Sequence, residues 1–267
     1  MIRTDLNNEQ YHATEAVSKS TLDLIHVAPA LVEWRKTAPV DSSKQESFMI
    51  GTAIHAAILE PESFAAYYVP APKFDMRTNA GKAEYAAFKA DNNGKIVIPD
   101  DDYKLITMAR NSALAHPTFQ KIYEMDHICE ASIFWDWDSK AGHQVRCKCR
   151  PDLMLHKKSV VVDIKTTADI KRFASSVFDY RYHVQDQHYS DGVSKEFGDD
   201  CTFYFLAIST SFSGGMLPVH LFELGEEDKE LGRRERDANL EAYRWCQENQ
   251  SWPGVEPLSL PAWAKNK

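Results

Sequence analysis

Hydrophobic and polar residues follow two different periods along the chain, and the change falls near residue 125. Before it, apolar residues recur every three or four positions, as in amphipathic helices. After it, they alternate with polar residues in short β-branched runs, as in strands. The order is helices, three strands, two helices, two strands and a long last helix. This order predicts an α/β fold with a mixed central β-sheet flanked by helices.

Capping residues, prolines and changes of period set the bounds of the predicted elements. The helices of the first part are predicted at 18–27, at a short piece through Leu31 and Trp34, and at Phe48–Leu59 and Asp100–Leu114. A surface loop with a short helix is predicted at 70–94. The later elements are the strands Ile128–Trp137, Val145–Leu155 and Ser159–Thr166, the helices Ile170–Phe178 and Tyr182–Phe197, the strands Thr202–Ser209 and Val219–Leu224, and the helix Glu226–Gln247.

Composition limits the class of protein. The chain has 267 residues, 43% hydrophobic and 26% charged, which is typical of a globular domain. No apolar run is long enough to cross a membrane, and the N-terminus lacks signal-peptide features, so we expect a cytoplasmic protein without membrane contact. The net charge of −8 argues against a generally basic surface. A nucleic-acid partner would therefore require basic groups gathered in one groove and acids neutralised by metal.

The segment 150–167, RPDLMLHKKSVVVDIKTT, carries the most informative pattern. Two neighbouring strands of this length bring Asp152 and Asp163 to one end of a hairpin, and Asp163 and Lys165 share one face of their strand. Two carboxylates can hold Mg²⁺, which activates water and stabilises charge on a phosphate. A lysine beside them can orient or deprotonate that water, or stabilise the transition state. The pattern suits metal-assisted phosphodiester hydrolysis.

Three other residues could complete such a site. His55 lies in an apolar helix and could be a third metal ligand, although a buried core histidine is the commoner case. Gln185 and Tyr189 lie one helical turn apart and could hold a phosphate oxygen, or could form an ordinary polar face. Asp163-x-Lys165 on its own is most often a salt bridge at a strand edge. These alternatives stay open on the residues alone.

Pro151-Asp152, then DIK at 163–165, then QDQHY at 185–189, resemble the PD-(D/E)xK nuclease superfamily, in the branch with a trailing Q-x-x-x-Y motif. Segments such as GTAIHAAILEPESF, DIKTTADIKRF and LSLPAWAK extend the resemblance to the RecE-type (exonuclease VIII) nuclease domain over about residues 11–265, with lambda exonuclease as a more distant relative. The resemblance implies a restriction-endonuclease-like core in one domain, 1–267. Its mostly helical part, 1–125, carries His55, and its sheet core, 126–267, carries the Asp/Asp/Lys site.

The resemblance also assigns roles residue by residue. It implies four ligands for Mg²⁺, for which Mn²⁺ would substitute: His55, Asp152, Asp163 and the backbone carbonyl of Ile164. Lys165 would be the catalytic lysine, acting with Asp163, while Gln185 and Tyr189 would support it and the scissile phosphate. The five cysteines lack the Cys-x-x-Cys run with which AddB-type relatives hold an iron–sulfur cluster, so we expect no cluster.

The activity implied by the resemblance is a 5′→3′ exonuclease on linear double-stranded DNA. It would need no ATP, release 5′-phosphomononucleotides and leave a 3′ strand for an annealing protein of the RecT or beta type, in a bacterial or phage-infected cell. Relatives form tetrameric or trimeric rings, and a ring would place basic groups around the DNA and negative charge outside. The candidate contacts to DNA or its 5′-phosphate are Arg150, Ser18, Lys19, Ser20 and Arg35.

Two alternatives remain. The first is an endonuclease of the same fold, which the active-site residues alone do not exclude. The second is an inactive DNA-binding relative, which would usually have lost an acid or the lysine. Here both acids and Lys165 are present.

Overall fold

The computed structural model describes residues 1–39, 50–255, 258–260 and 264. The first two residues of the predicted helix Phe48–Leu59 and four of the eight residues of the LSLPAWAK motif therefore lie outside the described residues. A five-stranded mixed sheet forms the centre of the fold. Its strands, in spatial order, are β10 (Val219–Phe222), β9 (Thr202–Ser209), β8 (Val160–Thr167), β7 (Leu153–Leu155) and β4 (Ile128–Cys129).

Two of the predicted strands are each broken into two, which corrects the sequence prediction. The segment Ile128–Trp137 forms β4 and then β5 (Ser132–Asp138), while the segment Val145–Leu155 forms β6 (Gln144–Cys149) and then β7. β5 and β6 pair with each other in a second sheet, together with β1 (Ile2–Arg3). The breaks lie side by side, because the amide of Glu130 donates to the carbonyl of Asp152 over 3.1 Å. One long hairpin thus passes from one sheet into the other.

Helices cover both faces of the central sheet. Those before the sheet are α1 (Asn8–Ala13), α2 (Lys19–Val27), α3 (Ala30–Trp34), α4 (Ile50–Leu59), α5 (Pro61–Tyr67), α6 (Asn79–Asp91), α7 (Asp100–Leu114) and α8 (Pro117–Tyr123). Those after the first strands are α9 (Phe173–Asp179), α10 (Tyr182–Phe197) and α11 (Glu226–Asn249), with short 3-10 turns at His156–Lys158 and Ile170–Arg172. The predicted mixed α/β fold is confirmed.

The alternation of side chains along β8 separates two hydrophobic cores. Val162 and Ile164 face a core that also contains apolar residues of α4, α7 and α8. Val161 faces a second core built by α2, α9, α10, α11 and the β5–β6 hairpin. Asp163 and Lys165 share the face of Val161 because a strand repeats every two residues. The charged pair therefore projects toward α10 where the second core ends.

The helices α10 and α11 approach each other unusually closely. A Cβ atom at Gly232 of α11 would collide with the carbonyl of His183 in α10, so only glycine fits there. A second contact is polar: Arg236, which is buried, donates through Nη1 to the carbonyl of Gln187 over 2.7 Å. These contacts fix the position of α10 on the sheet.

The segment predicted as a surface loop with one short helix contains more regular structure. β2 (Tyr68–Ala71) and β3 (Ile96–Pro99) form a two-stranded parallel sheet, and α6 lies between them in the chain. The sequence prediction missed this small sheet. Among the residues that the structure describes, no helix combines the length and apolar character needed to cross a membrane.

Candidate active site

Asp152 and Asp163 face each other at the end of the β7–β8 pair. The antiparallel register joins Leu153 to Val162, so the next pair outward along the two strands is Asp152 and Asp163. Both side chains are buried, at 9% and 2% exposure. The structure thus brings together the two carboxylates that the hairpin length predicts.

Asp163 is held by two neighbours. Its Oδ2 lies 2.5 Å from the ammonium of Lys165, two residues along the same strand. Its Oδ1 accepts a hydrogen bond from Nε2 of Gln185 on α10 over 2.6 Å. The aspartate, the lysine and the glutamine therefore form one connected group between the sheet and α10.

Asp152 is held from the other side. Its Oδ2 accepts a 2.6 Å hydrogen bond from the amide of Ile164 and lies 3.4 Å from Nδ1 of His55 on α4. His55 is the histidine that the sequence singled out, and the structure places it at the acid pair. It is the amide of Ile164 that contacts the site here. The role of the Ile164 carbonyl as a ligand stays a prediction.

Burial and like charge shape the electrostatics of the pair. Burial first, and then the charge of Asp163, raise the pKa of Asp152 to about 6, while His55 and Lys165 act against the rise. Burial opposes the charged form of Lys165, but the carboxylates of Asp163 and Asp152 outweigh it and raise the lysine pKa. Lys165 is therefore a cation at neutral pH. When both buried acids are ionised they carry two negative charges against the one positive charge of Lys165, so a further positive charge would balance the group.

Tyr189, the other predicted residue of α10, lies behind this group. Burial raises the pKa of its phenol well above the ordinary value, and Tyr11 and Asp163 act in the same direction. Its ring packs edge-on against Phe203 of β9, with 6.1 Å between centroids. The charge of the acid pair therefore acts on the Tyr189 phenol. The part of Tyr189 in the chemistry stays a prediction.

Glu130 is an acidic neighbour that sequence reasoning missed. It occupies the break between β4 and β5 in a left-handed conformation, with φ of 53°, and its amide binds the carbonyl of Asp152. Burial first, and then the charge of Asp152, raise the pKa of Glu130 to about 7. Sequence reasoning could not place Glu130 at the site, because the strand was predicted to run through this residue without a break.

The donor set suits a hard divalent cation. Two carboxylates and one imidazole are ligands that Mg²⁺ or Mn²⁺ accepts, and a bound cation would offset the like charge of the two buried acids. Within the described part of the chain, no three acidic, histidine or cysteine side chains are already arranged as a metal-binding group. The side chains would have to turn from their present partners, such as Lys165 and Gln185, to bind a cation together.

Lys19 is the predicted DNA contact that lies beside this site. Its Nζ lies 5.8 Å from the centre of the Tyr182 ring, and the ammonium of Lys165 lies 4.6 Å from the same centre. Lys19 also bonds Asp23 at 2.7 Å and donates to the carbonyl of Tyr180 over 2.6 Å. The start of α2 therefore lies next to Lys165 on β8.

The other predicted contacts at this start of the chain lie around a neighbouring cavity. Ser18, Ser20 and Arg35 line a polar cavity of about 1010 Å³, together with Arg146 and Lys148. Ser18 Oγ lies 3.0 Å from Ser20 Oγ and makes no capping bond to the helix that it precedes. Asp163 and Lys165 are not among the residues that line this cavity. The structure thus groups these three residues with one another and sets them apart from the acid pair.

Arg150 does not fit the predicted phosphate contact, although it directly precedes Pro151-Asp152. Its guanidinium donates to Ser132 Oγ over 2.7 Å and to the carbonyl of Leu6 over 3.0 Å. It also lies over the Tyr11 ring, 4.3 Å from its centre. The N-terminal segment covers Arg150 and uses these donors. In this structure Arg150 joins the N-terminal segment to the sheet.

The fold and the Asp/Asp/Lys group define a PD-(D/E)xK domain. The chain belongs to the family described as a PDDEXK-like domain of unknown function (DUF3799), which matches residues 18–256. The predicted superfamily membership is thereby confirmed. No curated protein matches the chain.

Solved structures agree on the fold. A candidate exonuclease of Eubacterium rectale superposes with a TM-score of 0.57 at 13% identity, over 96% of each chain. A phage-related exonuclease of Haemophilus somnus shares 10% identity over 76% of this chain and 97% of its own, but its TM-score of 0.31 is too low to support an argument. At such identities the first similarity establishes the fold alone.

Proposed function

We propose that the protein is a metal-dependent, ATP-independent 5′→3′ exonuclease acting on linear double-stranded DNA. The observation that carries the proposal is the group formed by Asp152, Asp163, Lys165 and Gln185, with His55 against Asp152. The similarity in fold to a candidate exonuclease is consistent with it.

Each residue of this group has a task in phosphodiester hydrolysis. Asp152, Asp163 and His55 would hold Mg²⁺, or Mn²⁺ in its place, and the ion would supply an activated water and stabilise charge on the phosphate. Lys165, a cation because of its two acidic neighbours, would orient the water or stabilise the negative charge of the transition state. Gln185 would keep Asp163 in place through its 2.6 Å hydrogen bond. Tyr189 would support the lysine and the phosphate.

The test is nucleotide release from end-labelled linear duplex. We expect 5′-phosphomononucleotides in Mg²⁺, none in EDTA, and release that is slower by orders of magnitude from Lys165→Ala. No ATP and no iron–sulfur cluster should be needed. Lys158→Ala is the matched control, since Lys158 is an exposed lysine just before the same strand, in the turn His156–Lys158. Absence of nucleotide release from any linear duplex would refute the proposal.

The polarity and the mode of attack need separate substrates. Label at the 5′ end should be released before label at the 3′ end, and covalently closed circular duplex should be spared. Cutting of the closed circle would favour the alternative of an endonuclease with the same fold. Binding of duplex ends without cutting would favour an inactive DNA-binding relative.

The 5′-phosphate would be bound at the start of α2. Lys19 supplies a charge beside Lys165, Ser18 and Ser20 flank it in the chain, and Arg35, which follows α3, lines the neighbouring cavity with these two serines. A duplex with a 5′-phosphate should be degraded faster than one with a 5′-hydroxyl, and Lys19→Met should reduce that preference. An unchanged preference would remove Lys19 from the pocket.

The remaining parts of the proposal concern assembly. A ring of three or four copies would gather basic groups around the DNA despite the net charge of −8. The 3′ strand left behind would be taken up by an annealing protein of the RecT or beta type. Mass measurement in solution tests the ring, and co-purification with such a protein tests the partner.

A further inference from the structure

Next to Lys165, two aromatic rings form an open surface that the chemistry described above does not use. The rings of Tyr180 and Tyr182 stack with their centroids 5.6 Å apart and an angle of 27° between their planes. The Tyr180 side is open, since this residue is 61% exposed. We call Tyr180 and Tyr182 the tyrosine platform.

The backbone that carries the platform is held in a strained conformation. Arg181, between the two tyrosines, is left-handed, with φ of 54°, a conformation that is unfavourable for a non-glycine residue. Its guanidinium is buried and binds four acceptors on α2 and α11: the carbonyl of Leu22, Asp23, Glu235 and Asn239. On the other side, Lys19 donates to the carbonyl of Tyr180 over 2.6 Å. An exposed ring on so firmly held a backbone is preorganised for contact.

The charges around the platform indicate what it contacts. The ammonium groups of Lys165 and Lys19 lie 4.6 and 5.8 Å from the centre of the Tyr182 ring, and Lys165 bonds Asp163 of the acid pair. A polyanionic strand whose phosphate reaches Lys165 would bring its neighbouring base within reach of the adjoining ring. Aromatic side chains next to cationic groups are the usual surface on which single-stranded nucleic acids stack their bases.

We infer that the tyrosine platform stacks one unpaired base of the strand being cut, next to the scissile phosphate. This inference rests on the proposed nuclease function and adds a base-binding position to that site. Stacking is tolerant of sequence, because every base presents an aromatic face. It would hold the end of the strand apart from its complement while Lys165 engages the phosphate.

The test is a double-mutant cycle in which one change is made in the protein and the other in the DNA. The measured quantity is Kd for linear duplex in Mg²⁺. The full-length Lys165→Ala protein is used as the parent, because it should bind without appreciable cutting. One duplex has a normal 5′-terminal nucleotide and the other an abasic one. Adding Tyr180→Ala should raise Kd for the normal duplex about tenfold, within the range known for base stacking. For the abasic duplex, the same substitution should change Kd by less than about twofold.

Three controls keep the result specific. Tyr180→Phe should restore the affinity for the normal duplex, because the ring stacks and the hydroxyl does not. Trp245→Ala, which removes an exposed aromatic residue of α11, should leave both values of Kd unchanged. The melting temperature of Tyr180→Ala should stay near that of the parent, since the ring is exposed.

An equal loss of affinity for the normal and the abasic duplex, or no loss for either, would overturn the inference. So would a Tyr180→Phe protein as weak as Tyr180→Ala. The proposed function would instead be refuted by an absence of nucleotide release from the unmodified protein. In that case the Kd measurements would still show whether Tyr180 stacks on a base.

Discussion

Two pairs of charged residues lie on the segment that runs from β6 to β8, and their surroundings differ. The basic pair, Lys148 and Arg150, is surrounded by acceptors. Lys148 is 5% exposed, and its ammonium lies 2.8 and 2.7 Å from the carbonyls of Tyr11 and Thr14. Both cations also lie over the Tyr11 ring. Their N–H donors are satisfied by the structure itself, although burial and the nearby Arg35 and Arg150 lower the pKa of Lys148.

The acidic pair is left unbalanced. Asp152 and Asp163 face each other, and burial together with the charge of Asp163 raises the pKa of Asp152 to about 6 although one lysine and one histidine lie nearby. A protein selected only for stability would not keep two buried carboxylates opposite each other on paired strands. The contrast teaches that burial of charge alone does not mark a site. A buried charge without a compensating partner does mark a site. Five predictions test this contrast, in order from the largest to the smallest expected effect.

Asp152→Asn or Asp163→Asn should abolish Mg²⁺-dependent nucleotide release, because each removes a negative charge that the cation needs. In EDTA Asp152→Asn should raise the melting temperature by a few degrees, since it removes the repulsion between the acids, whereas Asp163→Asn also removes the carboxylate that pairs with Lys165. Activity assays and thermal unfolding check the two halves separately. A variant with undiminished release would discard the acid pair as the active site.

Lys165→Ala should lower the turnover number by about 10²- to 10⁴-fold while changing the Kd for duplex ends far less, because its charge acts mainly on the transition state. Single-turnover rates and a binding titration measure the two quantities. Equal losses in both would make Lys165 a DNA contact rather than a catalytic residue.

Lys148→Met tests the balanced pair. The substitution removes the ammonium and leaves buried backbone carbonyls at the end of α1 without a donor, at a cost of about 1–3 kcal/mol. The melting temperature should fall by several degrees, as measured by calorimetry. If stability stayed the same, water would be replacing the ammonium and the two pairs would differ less than we infer.

The pH dependence of stability should distinguish the pairs as well. Because the pKa of Asp152 is raised from 3.8 to about 6, the folded state binds its proton more tightly than the unfolded state. Its contribution to metal-free stability is therefore present below about pH 4 and is lost as the pH rises through 6. Glu130 and Asp186, with pKa values of about 7 and 6, add effects of the same sign.

Thermal unfolding in EDTA between pH 4 and 7.5 measures the slope of the melting temperature against pH. Asp152→Asn should flatten it in part, and Mg²⁺ should raise the melting temperature more at pH 7.5 than at pH 5, where protons compete for Asp152. A slope unchanged by Asp152→Asn would assign the effect to Glu130 and Asp186.

The smallest effect is expected for Arg150→Ala. Losing the bonds to Ser132 and Leu6 should lower stability by about 1–2 kcal/mol. The preference for a 5′-phosphate should stay, because these bonds already use the guanidinium. Initial rates on 5′-phosphate and 5′-hydroxyl duplexes decide the point. A lost preference would return Arg150 to the phosphate pocket.

The sequence predicted the local parts of this architecture best. The eleven-residue step from Asp152 to Asp163 is a hairpin, and a period of two places Lys165 beside Asp163, so no long-range information is needed. The break at Glu130 was not predicted, because a left-handed glutamate has no signature in a β-branched run. The bonds of Arg150 to Ser132 and Leu6 were not predicted either, because the residues around a position do not show which distant segment covers its side chain. Its contact with a 5′-phosphate stays a prediction.

The close contact at Gly232 has a consequence for how the chain tolerates variation. α11 carries none of the residues at the acid pair, yet a single methyl group at Gly232 would press on the backbone of His183, two residues before Gln185. α10 would have to move away from the sheet, and Gln185 with it. In a library of random substitutions, this glycine should therefore be depleted among active clones as strongly as many residues of the site, although it touches neither metal nor DNA.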